Sequence, residues 1–305
     1  MKNKILVTGV TGKSGLCFFK ECYTDKREDF EFTFLVRSKE KGQLLKAMYE
    51  NTNIAYGSLD DNVQMSSILK QGNYDTLLHI AGIQKSLNLV KLAVKNGVKW
   101  LILVHTTGIY SKYKAAGEEY RQIEKQIRET ISGTGIALTI LRPTMIYGDL
   151  NDENVAVFMK MVYKLRLFPV VNHAEYELQP VWCGDLGKAY YQVLTTPERT
   201  KDKEYNLSGG KPIMLIDMFK TMATMLNVSN KYVNVPFWLA YSGAVLLYAI
   251  SFSKFDFREK VQRLVEPRVY NHDEATRDFG YNPVSFEVGV KEEVESFLSQ
   301  NKDSE

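Results

Sequence analysis

The feature that most constrains this chain is a glycine-rich turn close to its start. Residues 5–8 (ILVT) form a short apolar run typical of a buried strand, and GVTGKSG follows at 9–15 before a stretch of helical character. The three glycines permit a tight turn, a close approach of backbone N–H groups to a pyrophosphate, and close packing of helix on strand. This unit predicts a phosphate-binding loop. The predicted loop residues are Gly9, Thr11, Gly12, Lys13, Ser14 and Gly15.

Apolar runs of strand length alternate with helix-length amphipathic stretches through the first half of the chain. The runs lie at 5–8, 31–36, 53–57, 76–80, 100–105 and 137–142. They are continuously apolar, as expected for strands buried on both faces. The alternation predicts an α/β fold with a doubly wound parallel sheet, the Rossmann arrangement, and a smaller, mostly helical C-terminal substrate region.

The alternation of strand-like and helix-like segments ends after the Tyr-Gly-Asp segment at 147–149. We therefore expect residues 1–165 to form the dinucleotide-binding domain, to which the chain returns around 180–207. Residues 208–305 are expected to form the smaller substrate-binding region, to which 166–179 contribute.

The charge and cysteine content exclude several classes of function. Among 305 residues, 39 are Lys or Arg and 36 are Asp or Glu, with both signs mixed along the chain. This balance provides no basic patch or stripe of the kind that binds nucleic acid. Three cysteines without a CxxC pair, and histidines without ligand partners at metal spacing, predict neither a disulfide framework nor a metal site. We expect a cytoplasmic protein, because the apolar stretch at the N-terminus is too short for a signal peptide.

One segment carries no charge, residues 232–253, and lysines flank it on both sides. Spanning a membrane takes about 20 predominantly apolar residues. Asn234, Pro236 and Gly243 interrupt the apolar character here. The pattern favours a buried helix of a soluble domain, and membrane contact is the alternative.

Several further segments resemble, in order, the motifs of one superfamily. They are TGVTGKSG at 8–15, HIAG at 79–82, LRPTMIYG at 141–148, QPVWCGDL at 179–186, YNLSG at 205–209 and FGYNP at 279–283. The chain resembles the extended and atypical branches of the short-chain dehydrogenase/reductase superfamily, which include epimerase/dehydratase-like and NmrA-like proteins. The resemblance implies a nicotinamide cofactor, with Ala81, Gly82 and Pro143 among its contacts.

The residue after the second strand indicates which cofactor is bound. An acidic side chain there would hold the ribose hydroxyls of NAD, but this chain has Arg37. Arginine suits a 2′-phosphate and can bind it bidentately, so we predict NADP(H) over NAD(H). Ser58 and Leu59, after the third strand, are expected to contact the adenine.

The resemblance also implies a catalytic Ser/Thr, Tyr and Lys, the last two in a YxxxK helix. Thr106 or Thr107 matches the Ser/Thr, and Tyr120 matches the tyrosine by its spacing from the Leu-Arg-Pro segment. Glu124 then occupies the lysine position, and Lys125 lies about 100° around the helix from that face.

Three interpretations of the missing lysine stay open. Lys125, or Lys114 of a literal YxxxK at 110–114, replaces the cation; Glu124 holds the ribose while catalysis is weak; or the cofactor is bound without turnover. The sequence thus predicts an NADP(H)-dependent oxidoreductase acting on a carbonyl or alcohol carbon, or a nucleotide-sugar epimerase/dehydratase. The alternative is a non-catalytic NADP(H)-binding sensor or assembly protein. We expect a small-molecule substrate near Met145, Tyr147 and 170–180, and a monomer or homodimer.

Overall fold

The computed structural model of the chain describes residues 2–25, 27–113, 115–152 and 154–302. Its strands are β1 (Asn3–Thr8), β2 (Phe30–Val36), β3 (Asn53–Tyr56), β4 (Thr76–His79), β5 (Trp100–Val104), β6 (Ala137–Pro143), β7 (Ile146–Tyr147), β8 (Leu167–Val171), β9 (Glu177–Leu178), β10 (Val181–Trp182), β11 (Glu204–Leu207), β12 (Ile213–Met214) and β13 (Lys231–Val235).

The helices surround these strands and make up most of the C-terminal third. They are α1 (Lys13–Thr24), α2 (Lys39–Met48), α3 (Asn62–Gly72), α4 (Ser86–Lys95), α5 (Gly117–Ile131), α6 (Val155–Lys164), α7 (Cys183–Thr195), α8 (Pro197–Thr200), α9 (Leu215–Met225), α10 (Phe237–Ile250), α11 (Arg258–Leu264), α12 (Asp273–Phe279) and α13 (Phe286–Lys302). Short 3-10 turns lie at Ile83–Lys85, Thr107–Tyr110 and Asn172–Ala174.

Seven strands form one parallel sheet in the order β3-β2-β1-β4-β5-β6-β11. The predicted α/β class is confirmed. Its central strands are apolar on both faces because helices cover both, and β4 and β5 are buried along their whole length. The strand order reverses between β1 and β4, and ligands of such sheets bind in the crevice outside the carboxyl ends at that point.

A second apolar cluster lies beside the sheet and is built by the C-terminal region. It packs α6 and α9 with α13 around buried side chains such as Met159, Met218 and Val290. Small two-stranded pairs, β7 with β10, β9 with β12 and β8 with β13, contribute side chains such as Tyr147, Phe168 and Leu178 to this cluster. The two clusters thus form the two walls of the crevice.

The uncharged segment at 232–253 does not form the buried helix that the sequence favoured. It forms β13 and α10, and in α10 only Ala244 is buried. The expectation was wrong because the main neighbour of α10 is the short helix α11, which leaves the outer side of α10 uncovered. None of the described helices has the length and apolar composition needed to cross a bilayer.

Candidate cofactor and substrate site

The glycine loop between β1 and α1 is folded tightly against the loop after β4. Gly9 has a φ of +84°, and a Cβ there would lie 2.7 Å from the backbone nitrogen of Ala81. A Cβ at Gly15 would lie 2.2 Å from the carbonyl oxygen of Gly9. Both positions require glycine for packing alone.

Gly12 is different, because nothing within the chain forbids a side chain there. A Cβ would meet only the carbonyl oxygen of Gly9, at 3.4 Å, and the φ of −84° suits any residue. Gly12 precedes α1, which begins without a side-chain cap, so its first N–H groups are free to face an anion. The cradle therefore fits the pyrophosphate of a dinucleotide.

A cavity of about 670 Å³ opens at this point, between the carboxyl ends of the strands and the C-terminal region. On the loop side its lining includes Gly9, Gly12, Lys13, Ser14, Ala81, Thr106 and Thr107. On the opposite side it includes Asn151, Asn154, Gln179, Arg263, Arg268 and Tyr270. The structure thus brings seven of the sequence-predicted site residues together.

The remaining predicted cofactor residues lie around this cavity. Gly15 is buried beneath the loop, and Thr11 is exposed beside a shallow hollow against α2. Gly82 ends the loop after β4 with a φ of +97°, and the carbonyl oxygen of Pro143 accepts the Thr107 hydroxyl at 3.2 Å.

Arg37 follows β2 at the same edge of the sheet, outside the cavity. Its side chain is exposed and has no ion-pair partner among the residues that the structure describes. Ser58 and Leu59 follow β3 at that edge, which the bond from Gly57 N–H to the Val36 carbonyl, 3.1 Å, ties to the end of β2. The three residues thus follow the carboxyl ends of two neighbouring parallel strands, β2 and β3.

His79, at the end of β4, holds the loop after that strand in place. Its Nε2 lies 3.0 Å from the Gly82 carbonyl oxygen, so Nε2–H donates there, and Nδ1 accepts the Thr8 hydroxyl at 2.6 Å. Burial lowers the pKa of His79 to about 4, which keeps the ring neutral. The histidine therefore positions the backbone beside the cofactor loop.

The predicted catalytic tyrosine and lysine do not reach the cavity lining. Tyr120 is buried against Ile83 and Ile109, and its hydroxyl accepts a bond from Gln84 Nε2 at 3.3 Å. The Lys125 side chain is 69% exposed on the solvent face of α5, 4.0 Å from the carboxylate of Glu129. Lys114 lies outside the described residues.

Glu124 belongs to a buried ionic network. Its Oε1 accepts from Arg142 Nε and His105 Nδ1, each at 3.0 Å, and its Oε2 accepts from Arg142 Nη2 at 2.5 Å. Burial raises the pKa of Glu124, but the bonds from His105 and Arg142 outweigh it and lower the pKa to about 2. The geometry does not support Glu124 as the ligand of a ribose, because both carboxylate oxygens are already occupied.

Two arginines that sequence reasoning missed face the cavity from the C-terminal region. The Nε atoms of Arg263 and Arg268 are buried and have no partner among the described residues. Burial and the neighbouring Arg263 lower the pKa of Arg268 to about 10. The one carboxylate paired with Arg263 within the described chain, Glu259, is 3.8 Å away. Two guanidinium groups, one of them ion-paired with Glu259, therefore line the cavity.

The N-terminal half of the chain matches the NAD(P)H-binding domain family over residues 9–160. The chain is also 21% identical to a UDP-glucose 4-epimerase of Vibrio cholerae over 243 residues, which are 74% of this chain and 71% of the epimerase. Both matches support the resemblance to the extended, epimerase-like branch of the short-chain dehydrogenase/reductase family. The family resemblance of the motifs is thereby confirmed.

Two solved structures share the family's fold over nearly their whole length. A Thermus thermophilus UDP-glucose 4-epimerase, solved with NAD, has a TM-score of 0.71 and 16% identity, covering 97% of this chain and 99% of that one. An NADPH-dependent quinone oxidoreductase of Escherichia coli has a TM-score of 0.69 and 16% identity, covering 96% and 99%. The fold is thus one that accommodates either nicotinamide cofactor.

Proposed function

We propose that this chain is an NAD(P)H-dependent enzyme that moves a hydride to or from a carbonyl or alcohol carbon of an anionic small molecule, such as a nucleotide sugar. The observation that carries the proposal is a cavity with a different kind of anion-binding group at each end. A glycine loop suited to phosphate lies at one end, and Arg263 and Arg268, whose buried Nε atoms have no hydrogen-bond partner in the described chain, lie at the other.

The arginine end favours a phosphate-bearing substrate. Guanidinium groups bind phosphate oxygens bidentately, and an anion between them would offset their mutual repulsion. The diphosphate of a nucleotide sugar supplies two phosphates that two guanidinium groups could bind. The relative from Vibrio cholerae is named for UDP-glucose, which is a compound of this class.

The cavity also holds hydroxyl groups that can move a proton. When bound, the nicotinamide would supply the hydride chemistry. Thr106, Thr107 and Tyr270 line the cavity, and the phenol of Tyr270 is the most acidic type among these hydroxyls. Burial raises the pKa of Tyr270, so its hydroxyl is protonated at neutral pH and can donate a hydrogen bond to a substrate oxygen.

A screen of turnover tests this function. Purified protein is incubated with UDP-sugars and NADP⁺ or NAD⁺, and with carbonyl compounds and NADPH, and products are followed by absorbance and chromatography. We expect either cofactor oxidation and reduction or sugar interconversion without net change in the cofactor. NADPH binding without turnover of any compound would favour the second candidate, a non-catalytic NADP(H)-binding sensor. Its support is that neither Tyr120 nor Lys125 is among the described residues that line the cavity.

Arg37→Asp tests the proposed preference for NADP(H). The substitution removes the cation at the end of β2 and supplies the carboxylate that holds ribose hydroxyls in NAD-binding relatives of this fold. We expect the Kd for NADPH to rise about tenfold or more, since bonds to charged groups contribute about 1.5–3 kcal/mol each, and the Kd for NADH to stay or fall. Fluorescence titration measures both, with Lys46→Asp on the exposed face of α2 as the matched control. An unchanged Kd for NADPH would refute the assignment.

A further inference from the structure

Helix α10 presents a broad apolar surface that nothing in the described chain covers. Trp238, Leu246 and Ile250 are 68%, 61% and 65% exposed, and Leu239 and Val245 are exposed beside them. No charged side chain occurs between residues 232 and 253. We call these five side chains the α10 apolar face.

The α10 apolar face is unusual for a helix at a protein surface. Such helices carry charged side chains outward, and a helix that is apolar all round is normally buried in a core or in a membrane. A helix of 14 residues is about 21 Å long, which is short of the roughly 30 Å hydrocarbon core of a bilayer. It is therefore neither covered by this chain nor able to cross a membrane.

Lysines without carboxylate partners in the described chain flank α10 in the sequence. Lys231 precedes the helix, and Lys254 and Lys260 follow it; none has an ion-pair partner in the described part of the chain. The two acidic residues that follow the helix are engaged, Asp256 with Arg258 and Glu259 with Arg263. The border of the apolar face is therefore complementary to an anionic surface.

We propose that α10 docks the protein onto an anionic lipid bilayer, with the helix lying in the plane of the interface. The apolar face would enter the headgroup–acyl boundary, and Lys231, Lys254 and Lys260 would bind lipid phosphates. At about 100° per residue, the five side chains of the α10 apolar face form a stripe about 140° wide along the helix, which can enter the headgroup–acyl boundary when the helix lies flat. Tryptophan at such a position is typical of membrane–water interfaces.

The helix is fixed to the body of the protein beside the substrate cavity. The backbone N–H of Phe237 donates to Asn172 Oδ1 at 2.8 Å, and the Arg258 guanidinium lies 3.9 Å from the centre of the Tyr248 ring. α10 packs on α11, which supplies Arg263 to the cavity. The proposed membrane contact thus lies next to the arginine end of the cavity, although it does not depend on the proposed function.

Vesicle binding tests this proposal with the full chain. We expect the protein to co-sediment with phosphatidylcholine–phosphatidylglycerol vesicles and to bind pure phosphatidylcholine less. Trp238 is the one strongly exposed tryptophan in the described chain, so its emission should shift to the blue on binding. Leu246→Glu with Ile250→Glu should lower the bound fraction about tenfold or more. Lys254→Glu with Lys260→Glu should weaken binding to the anionic vesicles about tenfold or more.

The matched control is Val63→Glu with Val288→Glu, two exposed apolar positions on α3 and α13. It should bind vesicles like the wild type, and circular dichroism with thermal unfolding confirms that each variant is folded. The proposal fails if the wild type stays in solution with anionic vesicles, or if the control pair loses as much binding as the α10 pair. It also fails if the wild type is a dimer that only the α10 pair dissociates and neither form binds lipid, since a second copy would then cover the face.

Discussion

Changing Arg263 and Arg268 together to glutamine is expected to weaken UDP-glucose binding about a hundredfold or more, with NADPH binding unchanged. Each guanidinium that bonds to a phosphate contributes about 1.5–3 kcal/mol, so either single variant should lose about tenfold. Isothermal titration calorimetry in the presence of NADP⁺ measures the loss for UDP-glucose and for inorganic pyrophosphate. Arg277→Gln, which removes an exposed cation on α12, is the matched control.

The unliganded protein provides an independent readout. Burial and the repulsion from Arg263 lower the pKa of Arg268, so the charged form of Arg268 is less favourable in the folded protein than in the unfolded chain. Replacing both arginines by glutamine removes this unfavourable charge. Thermal unfolding without ligand should therefore show that the double variant is at least as stable as the wild type. A double variant that unfolds earlier and binds UDP-glucose normally would show that the arginines have a structural role and would remove the anionic substrate from the proposal.

The fold and the glycine loop were predictable because the signals are local. The spacing of Gly9, Gly12 and Gly15 sits between one strand and one helix, and continuous apolar runs mark strands that are buried on both faces. The structure adds a distinction that spacing does not contain. Glycine is required at positions 9 and 15 because a side chain there would collide with the backbone. At Gly12 the chain itself leaves room for a side chain, so packing does not require glycine there.

The substrate end of the site was not predictable, because it depends on contacts between distant parts of the chain. Arg268 is positioned at the cavity by a backbone hydrogen bond. Its N–H donates to the carbonyl oxygen of Glu177 at 2.9 Å, and the two residues are 91 positions apart in the sequence. No periodicity or motif encodes that pairing. The exposure of α10 was unpredictable for the same reason. An apolar sequence does not indicate which other element, if any, will pack against the helix.

Glu124 shows how a motif position alone misleads. By spacing it replaces a catalytic lysine, but a guanidinium partner 18 positions away, Arg142 on β6, determines where its side chain lies. His105, at the end of β5, completes the arrangement: Nδ1–H donates to Glu124, and Nε2 accepts from the Ser86 hydroxyl at 3.1 Å. The helix α5 is thereby fastened to the carboxyl ends of two central strands, beneath Thr106 and Thr107.

Glu124→Gln is expected to destabilise the protein by about 3 kcal/mol at neutral pH, because it leaves the Arg142 guanidinium buried with one carboxylate partner fewer. Glu204, 2.7 Å from Arg142 Nη2, compensates in part. For a chain of this size the loss lowers Tm by about 10 °C or less. Chemical denaturation and calorimetry measure both quantities. Glu118→Gln, on the exposed side of the same helix and paired with Arg121, is the control and should leave stability almost unchanged.

The pH dependence separates the ionic contribution from simple packing. Because the folded pKa of Glu124, about 2, is below that of an unfolded glutamate, the carboxylate stabilises the fold above about pH 4.5. This contribution is lost as the pH falls from there toward 2. The difference in unfolding free energy between the wild type and Glu124→Gln should therefore shrink across that interval. A difference that stays constant with pH would mean that the side chain acts through its shape, and that the buried charge pair does not hold α5 against the sheet.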